Sequence, residues 1–144
     1  MILTGATLTD PLSVLCRAEA GWLIEQAEAL LPELQDLGLE VLLNRTALTL
    51  LPMQDTVSGQ PFYLGEVLLA EAQVRVGEQQ GYAAVVGRDL VQALAAAVLD
   101  AAGTLPQFEQ RVTALIGAER VRQAADDDRT LREIEATRVE METF

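Results

Sequence analysis

Glu66 and Glu71 stand five residues apart on one extended stretch of this 144-residue chain, and two carboxyls buried together could act as general acid and base. Arg88 and Asp89 follow Gly87 at a strand-to-helix turn, a place where helix amides and a guanidinium can hold an anion. Cys16 is the only thiol, and Tyr63 and Tyr82 are the only phenols. Nothing stronger is available, because the chain has no histidine and all ten of its cations are arginine. That excludes a Ser-His-Asp relay, a histidine zinc site, a Schiff-base lysine and a phosphate-binding loop whose lysine reaches the phosphates. The chain is expected to contribute surface and shape to chemistry done elsewhere.

Each candidate has a plainer role. Asp89 has the spacing to Gln92 of a capping box, and a capping carboxylate would occupy the amides a phosphate needs while repelling it. Glu66 and Glu71 can equally be edge-strand charges with arginine partners, Arg75 being one candidate mate. Cys16 lies beside Leu12 and Leu15 on an apolar helical face, where free cysteine behaves as a core residue. Tyr82, after Gly81, reads as a strand anchor. Trp22 fits a core or an interface. No residue is assigned to catalysis, to a metal or to a cofactor. Arg75, Arg88 and Arg138 are the candidates for an interface or an anion contact.

Composition sets further bounds. Half of the residues are apolar and 22% are charged, which suits one globular domain over residues 1–144 with a core of Leu, Val and Ala. Thirteen acids stand against four arginines before Gly103, and nine against six after it, giving −12 in total. Such a field repels nucleic acid and anionic lipid, so neither is an expected partner. Met1 to Asp10 lacks the basic and apolar regions of a signal peptide, and no apolar run spans a bilayer, so a cytoplasmic location is expected. A lone cysteine asks for no oxidising compartment.

The elements that must position these groups follow from periodicity. Asp10-Pro11 caps a short helix. A second helix carries Leu23, Ala27, Leu30, Leu31 and Leu34, with Pro32 predicted to kink or end it near Leu31 and Gly38 to stop the segment. Glu40 to Leu43 and Thr46 to Met53 read as two strands. Phe62 to Val76 is a long extended segment with a bend or bulge near Ala70; Gly77 to Gly81 is its hairpin loop, and Tyr82 to Val86 returns. Leu90 to Ala102 is a helix apolar nearly all round, so it must be covered on more than one side. Residues 107–144 are helical, with breaks expected at Gly117 or Asp126-Asp127-Asp128, and form either a helical arm for subunit contacts or a segment that folds back. The fold class is α+β: N-terminal helices, an antiparallel meander of about four strands, and C-terminal helices packed on one face.

Phe62-Tyr63-Leu64-Gly65-Glu66-Val67-Leu68-Leu69, running on through Ala72-Gln73-Val74-Arg75-Val76 to Gly81-Tyr82 and Gly87-Arg88-Asp89, resembles the PhnG family. That family supplies a subunit of the bacterial carbon–phosphorus lyase core complex. Pro11 to Ala18 is similar to its first helix, and Thr137 to Phe144 to its ending, with Met141 where the family pattern has an aromatic. The resemblance implies a non-catalytic scaffold in phosphonate catabolism, active only within a complex and holding no cofactor of its own. Its implied partners are the other core subunits, chiefly the nucleosidase-like subunit I, which transfers phosphonate to the ribose of ATP with loss of adenine. The residues alone also allow a stand-alone acidic homodimeric adaptor or small-molecule binder, and an independent enzyme using Glu66 or Glu71.

Overall fold

The computed structural model describes residues 10–140. The leader reading of Met1 to Thr9 and the ending from Met141 to Phe144 lie outside them. Seven elements follow in order: α1 (Pro11–Arg17), α2 (Ala20–Asp36), β1 (Leu39–Gln54), β2 (Pro61–Val76), β3 (Gln79–Val86), α3 (Leu90–Gly103) and α4 (Pro106–Ala136). The class is α+β, as expected.

Asp10 caps α1 by accepting from the Ser13 amide, with Pro11 preset for the first turn. Pro32 does not end α2, which runs on to Asp36. Leu30 and Leu34 are fully buried on either side of it, and Pro32 itself is exposed, so the carbonyl it leaves unpaired faces water. Gly38 then turns the chain with φ +87°, a value L side chains rarely adopt.

Among the described residues the sheet has three strands in the order β1-β2-β3, all antiparallel, rather than about four. The two short strands expected before Gln54 are one strand, because the polar residues between them find partners across the ladder. Arg45 pairs with Glu71, and the Asn44 amide is placed to donate to the Leu90 and Glu71 carbonyls at 3.2 and 3.3 Å. The β1–β2 pairing shifts at Leu42 and at Leu64, and it runs unbroken past Ala70, where a bulge was expected. The β2–β3 turn is tighter than expected. Val76 pairs with Gln79 across Gly77 and Glu78, and Gly77 takes φ +60°, as the first position of a two-residue hairpin turn often requires.

Along β2, Ala70, Ala72, Val74 and Val76 face inward, while Glu71, Gln73 and Arg75 face out. Helix α3 packs on this inward face, and Ala93, Ala96, Ala97, Leu99, Ala101 and Ala102 are buried on all its sides. The remaining cover comes from α2, α1 and α4 of the same chain. Small side chains let helix and sheet approach closely, and each larger core side chain removed from water contributes about 1.5–3 kcal/mol. The last helix is one rod of 31 residues, unbroken at Gly117 and at the aspartate run. Its first half buries Phe108, Val112 and Ile116; beyond Gln123 no described residue is buried.

Candidate functional site

Glu66 and Glu71 do not come together. An odd separation on a strand sends them to opposite faces, Glu66 exposed and Glu71 in an outer-face network. Glu71 accepts from Arg45 Nε at 2.7 Å and from the Tyr82 hydroxyl at 2.9 Å, so a carboxylate, a guanidinium and a phenol link all three strands. Arg45, and then Tyr82, hold the Glu71 carboxyl below the ordinary carboxylate range; burial and Glu71 hold the Tyr82 phenol above its own. A carboxylate so stabilised is a poor base. Arg75, proposed as its mate, bonds Glu40 instead, its register partner on β1.

Asp89 caps α3, accepting from the Gln92 amide at 3.0 Å. Gln92 does not reciprocate as a capping box would: its side chain reaches the Ala18 carbonyl at 3.1 Å and ties α3 to α1. The three candidate arginines lie in three separate parts of the fold. Arg75 is on the outer face of β2, Arg88 is exposed at the β3–α3 turn, and Arg138 beyond α4 meets Glu135 at 3.1 Å. Arg88 has no ion-pair partner among the described residues.

Cys16 is partly buried against the core, and burial with Asp100 and Asp10 nearby pushes its thiol up, away from the thiolate a nucleophile needs. Asp100 is itself pushed up by burial; it accepts from the Tyr82 amide at 2.9 Å. Among the described residues no group of three or more His, Cys, Asp or Glu could hold a metal, and no helix is long and apolar enough to cross a membrane.

Two features escaped the sequence reading. The first is a buried polar knot on α4. Glu119, 4% exposed, accepts from Arg122 at 2.7 and 2.9 Å and from Gln123 at 3.0 Å, while Gln123 also donates to the Val14 carbonyl. It fixes α4 to α1 through polar groups that the apolar stripe could not reveal.

The second feature is the far half of the β1–β2 hairpin. The last pair shared with β3 is Leu69 with Val86, so β1 from Leu48 and β2 up to Leu68 continue as a two-stranded ribbon. At a rise of about 3.3 Å per residue it extends some 25 Å past the third strand. Its loop is closed by Asp55, which accepts from the Val57 and Ser58 amides at 3.0 and 3.2 Å. The ribbon is apolar on both faces: Leu48, Leu50 and Leu68 continue the core face, and Leu51 points the other way. Leu48 is 63%, Tyr63 67% and Leu64 61% exposed. A two-stranded hairpin is marginal in water, and this one keeps its apolar side chains out of the core. The signal was present in the sequence as failed alternation through Leu50-Leu51 and Val67 to Leu69. It marks exposure on two faces, not a bend.

Compared with known proteins, residues 9–144 match the family model for phosphonate metabolism protein PhnG. The chain belongs to the PhnG family. This family comprises subunits of the carbon–phosphorus lyase core complex, so the chain takes part in phosphonate metabolism. No curated protein matches it. For a PhnG-family chain, the uncovered ribbon is the surface to explain, more than any single reactive side chain.

Proposed function

We propose that this chain is a non-catalytic scaffold subunit of the carbon–phosphorus lyase core complex. It holds in its working arrangement the nucleosidase-like subunit that transfers phosphonate to the ribose of ATP with loss of adenine. The ribbon carries this reading. A hairpin apolar on two faces fits between surfaces of a partner, where its leucines gain the burial they lack in the free chain. The chemistry supports a passive role: Glu71 is bound to an arginine, the Cys16 thiol is held protonated, and the candidate arginines are dispersed.

The reading is tested by reconstitution. The isolated chain is expected to show no hydrolase, nucleosidase or transferase activity. Added to the other core subunits prepared without it, it should restore formation of the ribose phosphonate from ATP and a phosphonate. Steady ATP turnover by the pure chain, or full activity of the partners without it, contradicts the reading.

A further inference from the structure

We propose that the free edge of β1 and the groove beside it receive an extended strand from a partner chain, with aliphatic side chains on alternate residues and Lys among the others. Among the described residues, strand β1 is hydrogen-bonded on one side only, leaving a row of backbone donors and acceptors on the other. Beside that edge lies a groove of about 340 Å³, walled by Leu39 and Val41 of β1 and by Ile24 and Leu31 of α2, with Leu94 and Val98 of α3 as its floor.

The groove exists because the two layers differ in width. Two helices lie side by side, but the sheet rests on α3 and barely reaches α2. A fourth strand added to β1, at the usual spacing of about 4.8 Å, would lie over α2 and set alternate side chains into the groove. A docked helix would fill the groove yet leave the β1 backbone groups to water. The extra residue at Leu42 confines regular pairing to its two flanks.

Charge selects the occupant. Among the described residues Glu28 lines the groove and no cation does; α2 carries Glu25, Glu28, Glu33 and Asp36 with no arginine. None of these four has an ion-pair partner among the described residues. A second copy of this chain, at −12, meets like charge, so the occupant is a different and locally basic chain. The proposal rests on the reading that the chain works within an assembly, but it concerns a surface separate from the ribbon.

The absence of lysine gives a direct test. In the assembly purified through a tag on this chain from phosphonate-grown cells, carbodiimide coupling of its carboxylates to lysine amines can reach only another protein, the chain's own amino terminus apart. Glu28 is expected to couple to lysines of one partner segment, with aliphatic residues at every second position. Amides of residues 39–44 are expected to exchange at least about tenfold more slowly in the assembly than in the free chain. The exposed substitution Glu28→Arg should weaken association about tenfold with an unchanged melting midpoint. Coupling at Asp55 or Glu66 but not Glu28, with residues 39–44 exchanging as in the free chain, overturns this proposal and leaves the ribbon reading standing. Aliphatic spacing of three and four in the coupled segment, or coupling only to another copy's amino terminus, also overturns it. Failure of any partner to co-purify removes both readings.

Discussion

Gly81 and Ala101 meet where β3 passes beneath α3: a Cβ added to Gly81 would lie 2.5 Å from the Ala101 nitrogen and 2.3 Å from the Ala97 carbonyl oxygen. No side chain can move aside to relieve a clash with helix backbone. The sheet and its covering helix are therefore in register only with glycine at this point. Gly81→Ala is expected to destabilise the fold by about 1–3 kcal/mol or more, as overpacking does, read as a lowered denaturant midpoint. A stability unchanged within error would mean that α3 sits farther from β3 than described.

Glu119 makes stability depend on acid. Arg122 holds its carboxyl below the ordinary value; burial opposes this, and Gln123 adds a lesser contribution in the same direction as Arg122. A carboxylate depressed on folding adds stability above its unfolded value of about 4.3, and loses it as pH falls through the folded one. Glu119→Gln should cost under about 2 kcal/mol at neutral pH, allowing for the solvent around Arg122. The cost should vanish in the acid limb of a melting-versus-pH series. A pH-independent cost would mean that packing, not charge, holds the knot together.

Asp100 works in the opposite sense. Burial raises its carboxyl, so the charged form opposes folding at neutral pH, and the penalty fades as pH falls through the raised value. Asp100→Asn keeps an oxygen for the Tyr82 amide and removes the charge. It should stabilise the protein at neutral pH by under about 1 kcal/mol and leave it unchanged at low pH, by thermal melting. Loss of stability at neutral pH would show the ionised carboxylate to be the better acceptor.

On the ribbon, Leu50→Arg and Leu64→Arg alter residues 49% and 61% exposed in the free chain. Each is expected to move folding stability by no more than about 0.5 kcal/mol. Each should nevertheless abolish the restoration of activity by this chain in the reconstituted complex. Equal losses of stability and activity would mark these leucines as part of the fold and not of a contact.

Much of the architecture was legible because it follows from local rules. Asp10-Pro11, Gly38, Gly77 and Asp89 each carry a turn or cap whose chemistry is complete within a few residues. Where local rules failed, a neighbour distant in sequence had supplied the missing partner. Asn44 and Arg45 did not split β1 because Leu90 and Glu71 receive them. Pro32 did not end α2 because Leu30 and Leu34 are held in the core. Helix α4 is different: its outer half is bridged by pairs local to the helix, such as Arg132–Asp128, 2.7 Å apart, across the aspartate run expected to interrupt it.

Composition alone determined that this chain holds few reactive groups and a strong negative charge, since those depend only on which residues are present. The family was carried by the order of residues from Phe62 to Asp89, and the helices by apolar spacing. Only the tertiary structure decided which apolar residues are covered. Val67 and Val74 share a strand and a chemical type, yet Val74 is sealed by α3 and Val67 stays partly open on the ribbon. Burial is a property of neighbours: two helices sit beside a sheet wide enough for one, and a hairpin outruns its third strand. No run of residues read by itself contains that mismatch.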